Sequence, residues 1–126
     1  ADDAESRAAI AEMYENYEYL IDPHTAVAYS VYEGLRKKGG LPRRQHTVIT
    51  ATAHPYKFPF VMAQSLGIGE ETGAYDMLRA IEKKTGVPIP EPLSALEKRP
   101  LRFTEVIPKD GMADEIGRYV AEIGDI

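Results

Sequence analysis

The sequence predicts a helix-rich α/β fold with a small, partial, parallel sheet flanked by helices. At least five segments show helical periodicity, in which apolar residues recur every three or four positions. Residues 46–51 are instead rich in β-branched side chains and apolar at the centre, which is typical of a buried strand. Residues 103–107 are a weaker candidate for a second strand. Because an independent α/β domain builds a sheet of several strands, this pattern indicates part of a larger protein.

The first predicted helix covers residues 3–17. Ile10, Met13, Tyr14 and Tyr17 share one face of it, and glutamates occupy the other. The helix is therefore amphipathic, and we expect this apolar face to contact the core.

The second predicted helix begins after Asp22, a natural N-cap, because Pro23 suits the first helical position, where no N–H donor is needed. It extends to about Lys38 through a basic last turn, and Gly39 ends it. Its predicted inward face carries Val27, Val31 and Leu35.

Three further helices are predicted at residues 60–66, 71–84 and 93–98, and prolines make residues 87–92 an extended linker. The helix at 71–84 is predicted to point Ala74, Leu78 and Ile81 inward. Asp110 caps a last helix whose apolar stripe contains Met112, Ile116, Tyr119, Val120 and Ile123. We predict one domain over residues 1–126.

Composition and charge exclude several classes of protein. The 126 residues include 15 Lys+Arg and 20 Asp+Glu, a formal net charge of −5, so a phosphate-tracking surface for nucleic acid is not expected. Cysteine is absent, which excludes disulfides, Cys-ligated metals and thiolate nucleophiles and suits a cytoplasmic location. No segment approaches the ~18 apolar residues of a membrane span. The first residue is not Met, so we expect a processed chain or a piece of a longer one.

Two polar segments are the candidate functional motifs. The first motif, residues 22–26, lies at a helix start, and the second motif, residues 50–59, follows the predicted strand. Ligand sites of α/β folds gather at such places. Each motif also has an ordinary structural interpretation, as a helix cap or a loop. A metal hydrolase site built from Asp22, His24 and His54, with His46 nearby, is an alternative, although the helix spacing does not favour it.

The two motifs resemble conserved segments of threonine synthase in its long form. Residues 22–26 read DPHTA, and residues 52–59 read TAHPYKFP, similar to that family's TAHPxKFP segment. They occur in the expected order, and the proline-rich residues 87–96 resemble the stretch before the family's last helix. The resemblance therefore covers most of the chain, but only the carboxy-terminal part of the family.

The resemblance implies a pyridoxal 5′-phosphate (PLP) enzyme with the tryptophan-synthase-β-like fold, a lyase of threonine biosynthesis acting on O-phospho-L-homoserine. It implies that the hydroxyl of Thr52 forms a hydrogen bond with the pyridine nitrogen of the cofactor. It implies that His54 and Lys57 line the substrate pocket or contact the phosphate of the substrate. It implies that the first motif, with Asp22, His24 and Thr25, lines the same pocket or anchors its helix.

The Schiff-base lysine and the phosphate-cradling glycine loop of that family belong to its amino-terminal part. No catalytic residue and no metal ligand is therefore assigned in this chain, and Lys57 does not replace the missing lysine. We expect the isolated chain to be inactive, to need the amino-terminal part of the same protein as its partner, and to self-associate through exposed apolar surface. The alternative is a standalone binding or regulatory module derived from such an enzyme, without its chemistry.

Overall fold

The computed structural model describes residues 1–42, 44–69 and 73–124, and these contain six α-helices and no β-strand. The helices are α1 (Asp3–Tyr17), α2 (Pro23–Lys37), α3 (Pro59–Ser65), α4 (Ala74–Thr85), α5 (Glu91–Ser94) and α6 (Met112–Gly124). Single 3-10 turns lie at Pro55–Lys57, Ala95–Lys98 and Lys109–Gly111. No described helix combines the length and the apolar character that crossing a bilayer requires.

The predicted α/β class, with its partial parallel sheet, is wrong for the described part of the chain. Residues 46–51 and 103–107 lie outside regular structure, and Val48 and Val106 are 90% and 93% exposed. A strand is stable only when a neighbour satisfies its backbone N–H and C=O groups and something covers its apolar face. The β-branched composition of residues 46–51 favours an extended backbone, but the described residues include no strand with which it pairs.

The helix boundaries follow the local signals in the sequence closely. Asp2 caps α1 in a capping box with Glu5, and Asp22 caps α2, with Pro23 in the first turn. Gly86 ends α4 with a φ of 71°, a left-handed conformation that glycine adopts without a steric penalty. The first two residues of the predicted helix at 71–84 lie outside the described residues, and the described helix begins at Ala74.

The core forms where α1 packs on α2 and α3, and where α3 packs on α4. Its fully buried side chains include Ile10 from α1, Met62 from α3 and Ile81 from α4. Tyr56, only 2% exposed, joins them from the 3-10 turn, and its hydroxyl donates to the Val87 carbonyl after α4. The second motif is thereby attached to the helical body through a core residue.

Several predicted inward positions are wrong. Val27, Val31 and Leu35 are 43–46% exposed, and the buried residues of α2 are Thr25 and Ala26. A small residue such as alanine allows helix backbones to approach closely, which explains why α1 packs on this side of α2. Tyr17 of α1 and Ala74 of α4 are also exposed, whereas Ile10, Leu78 and Ile81 are buried as predicted.

Helix α6 has the predicted amphipathic stripe, but the stripe does not contact the core. Its five apolar residues are 50–62% exposed. Arg118 lies on the polar side of the helix and pairs with Glu115 and Glu122. Self-association through such apolar surface therefore stays a prediction.

Candidate functional site

The fold brings the two motifs together. The ring of His24, from the first motif, lies edge-on to the ring of Phe58, from the second, with 5.0 Å between centroids and 63° between ring planes. A cavity of about 320 Å³, called the cleft below, is lined by Asp22 from the first motif and by Ala51, Ala53 and His54 from the second, whereas the rings of His24 and Phe58 do not line it. Residues about 30 positions apart in sequence thus form one site.

Asp22 is the most deeply buried charged residue of the site, at 1% exposure. Its carboxylate accepts hydrogen bonds from the His24 backbone N–H at 3.0 Å and from the Thr25 hydroxyl, and one oxygen lies 3.0 Å from His24 Nδ1. Burial opposes ionisation, but the hydrogen bonds from Thr25 and His24 outweigh it and lower the pKa of Asp22. The site therefore contains a buried, ionised carboxylate.

Thr25 has a structural function within this arrangement. Its side chain is buried, and its hydroxyl is directed to Asp22 rather than to the cleft. The predicted pocket-lining function of Thr25 stays a prediction, and in the structure it holds the carboxylate of Asp22.

His54 caps the 3-10 turn of the second motif. Its Nδ1 accepts a hydrogen bond from the Tyr56 backbone N–H at 3.3 Å, and its ring stacks on the Tyr56 ring at 5.5 Å between centroids. In neutral histidine an accepting Nδ1 leaves the proton on Nε2. His54 is exposed and lines the cleft, so it presents an N–H donor at the cleft edge.

Thr52 lies between two residues that line the cleft, Ala51 and Ala53. It is exposed, and within the described part of the chain its hydroxyl forms no hydrogen bond. A hydroxyl available in this way can bond to a heteroaromatic nitrogen. Thr52 does not itself line the cleft, but its hydroxyl has the chemistry that the contact implied by the resemblance requires.

Lys57 is not brought into the cleft. It borders a second cavity of about 580 Å³, between the second motif and helices α4 and α5, whose walls are mainly apolar. Phe58, Leu78 and Leu93 are among its lining residues. The sequence pattern alone did not indicate this cavity, although the aromatic residues at the end of the second motif were a signal for it.

The metal alternative receives no geometric support. Among residues 1–42, 44–69 and 73–124, no three His, Asp or Glu side chains come together in a group that would hold an ion. Asp22 and His24 do contact each other, but no third such side chain joins them among the described residues.

Comparison with known families identifies a family for this chain. The family model described as threonine synthase, C-terminal, matches residues 25–116, well over half of the chain. The match includes the whole second motif and begins within the first. No curated protein matches the chain.

Proposed function

The chain belongs to the threonine synthase C-terminal family, and from this premise we propose that it is the carboxy-terminal part of a PLP-dependent threonine synthase. Such an enzyme is a carbon–oxygen lyase acting on phosphates, and it converts O-phospho-L-homoserine and water into L-threonine and phosphate. We propose a cytoplasmic location for it. The observation that carries the proposal is the family match over residues 25–116, which contains the complete TAHPYKFP segment.

In this enzyme the chain forms one wall of the active site. PLP, when bound, supplies the electron sink for the reaction. Thr52 donates or accepts a hydrogen bond at the ring nitrogen, and because a hydroxyl is neutral it does not force that nitrogen to be protonated. His54 lines the substrate pocket with its Nε2–H, which can donate to an anionic group of the substrate.

The rest of the active site comes, in this proposal, from the amino-terminal part of the same polypeptide. Two exposed surfaces support such a partner. In residues 46–51 the side chain of Val48 is 90% exposed, and α2 exposes the aliphatic face of Val27, Val31 and Leu35. Exposed apolar patches mark interaction surfaces, so we propose that both contact the amino-terminal part.

The proposal predicts where PLP becomes covalently attached. PLP and borohydride should leave the isolated 126-residue chain without a stoichiometric lysine adduct, because its lysines are not expected to include the Schiff-base residue. The longer polypeptide, treated in the same way, should acquire one adduct per chain, at a lysine that precedes Ala1. Mass spectrometry of the digested proteins locates the adduct.

Two results would contradict the proposal. One is a stoichiometric adduct at Lys57 or at another lysine of the isolated chain. The other is a longer polypeptide that carries no reducible adduct at all, since a threonine synthase without its cofactor lysine cannot perform this reaction.

A further inference from the structure

The second cavity, which Lys57 borders, has the size and the walls of a small-molecule site. Its volume of about 580 Å³ lies within the range of about 300–1,000 Å³ that such sites occupy. Phe60 and Leu96 line it although they are 55% and 47% exposed, so a ligand can enter from solvent and cover them. Covering apolar walls of this kind removes their surface from water, which favours binding.

The walls of the second cavity are held in place by contacts between elements. Arg79 of α4 donates to both carboxylate oxygens of Glu97, at 2.9 and 3.1 Å, and to Asp76 at 2.6 Å. Glu97 follows Leu96 directly, so this ion pair attaches the turn that carries Leu96 to α4. On the side of the second motif, the lining residue Tyr56 is fixed in the core. The cavity is therefore preformed, as ligand pockets usually are.

The charge of the second cavity comes from one side chain. Lys57 is the only charged residue that lines it within the described part of the chain. None of the ion pairs among the described residues includes Lys57, whereas Arg79 is already paired with Asp76 and Glu97. An anionic group at the edge of this cavity would thus meet one ammonium group and no carboxylate of the described walls.

We propose that the second cavity binds an aromatic organic anion, whose ring packs among the apolar walls and whose carboxylate or sulfonate pairs with Lys57. Aromatic walls favour a ring as the apolar part of the ligand, because rings pack edge-on or offset against one another. The aromatic residues that line the cavity are Tyr56, Phe58, Phe60 and Tyr75.

This ligand is distinct from those of the proposed function. Thr52 and His54, the residues assigned above to PLP and the substrate, do not line the second cavity. The 3-10 turn Pro55–Lys57 separates the two sites, because Pro55 lines the cleft and Tyr56 and Lys57 line the second cavity. The inference therefore does not rest on the proposed reaction.

Fluorescence titration of the 126-residue chain tests the proposal with two probes that share one ring system. Anilinonaphthalene sulfonate is the anionic probe, and N-phenylnaphthylamine is its neutral counterpart. Each should bind at one saturable site per chain. Lys57→Gln should weaken binding of the anionic probe by about two- to fivefold, which is the effect of one exposed ion pair, and should leave binding of the neutral probe unchanged.

Two further variants separate the charge of the cavity from its apolar walls. Lys83→Gln is the matched control, because Lys83 is also exposed but does not line the second cavity, and it should leave both affinities unchanged. Leu96→Ala removes part of an apolar wall outside the core. It should weaken binding of both probes alike, by about two- to tenfold.

NMR of chains labelled at leucine and isoleucine methyl groups locates the bound probe. The signals of Leu78 and Leu93 should move, whereas those of Ile116 and Ile123 on α6 should not. The inference is overturned if Lys57→Gln weakens both probes equally or neither, or if the signals of α6 move instead. It is also overturned if the affinity of the longer polypeptide for the anionic probe does not respond to Lys57→Gln, since the amino-terminal part would then cover the cavity.

Discussion

Asp22→Ala is expected to lower the free energy of unfolding of this chain by about 1.5–5 kcal/mol. Loss of an N-cap costs about 0.5–2 kcal/mol. The substitution also leaves the buried Thr25 hydroxyl without its acceptor, and an unsatisfied buried polar group costs about 1–3 kcal/mol. Urea unfolding followed by circular dichroism measures the difference, provided that the m-value is unchanged.

Asp2→Ala is the matched control, because Asp2 also caps a helix but is exposed. It should cost only about 1 kcal/mol. Equal losses for Asp2→Ala and Asp22→Ala would contradict a special role for the buried arrangement around Asp22.

The effect of Asp22→Ala should also depend on pH. The pKa of Asp22 is lowered in the folded chain, so its stabilising effect is fully present above the ordinary Asp pKa of about 4. The effect disappears as the pH falls through the lower pKa of the folded state. The stability difference between the unsubstituted chain and Asp22→Ala should therefore shrink on acidification below about pH 4, and a difference that grows there would contradict the assignment.

Thr52→Val should reduce kcat/KM of the longer polypeptide by about ten- to a hundredfold, which is the effect of losing one hydrogen bond in a buried site. Valine has nearly the shape of threonine, and the exposed Thr52 hydroxyl supports no contact in the described fold. The free energy of unfolding of the chain should change by less than about 0.5 kcal/mol on this substitution. Steady-state assays and thermal unfolding measure the two effects separately.

Thr52→Ser restores a hydroxyl at the same position and should recover most of the activity. Thr50→Val is the neighbouring control, because Thr50 is also exposed but lies outside the TAHPYKFP segment at residues 52–59. Full activity of Thr52→Val, or equal losses for Thr50→Val and Thr52→Val, would show that the Thr52 hydroxyl does not contact the cofactor.

The helices could be predicted because their signals are local. Asp22 and Pro23 begin α2 and Gly86 ends α4, each through the backbone conformation or capping bond of residues a few positions away. The predicted sheet is wrong for the described residues, because strand formation is not decided locally. Strand formation by residues 46–51 depends on a neighbour distant in sequence, and the described chain does not provide one.

Helix faces were harder to predict than helix ends. Hydrophobicity alone selected Val27, Val31 and Leu35 as the inward side of α2, but these residues are exposed. The structure buries the side with Ala26 instead, because a small residue permits close contact with α1.

The sequence identified the two motifs of the site but not how they meet. Spacing alone does not reveal the contact between His24 and Phe58, because it depends on how α2 and the 3-10 turn are placed on the core. Nor does it reveal that the Lys57 side of the turn borders a different cavity from the cleft.

The central claim is that this chain completes an active site whose remaining residues precede it in the same polypeptide. Its most direct test is the stoichiometry of products that the longer polypeptide forms from O-phospho-L-homoserine with PLP. The account predicts threonine and phosphate in a 1:1 ratio, and neither product when residues 1–126 are deleted. Phosphate without threonine from the complete polypeptide, or full turnover after the deletion, would contradict it.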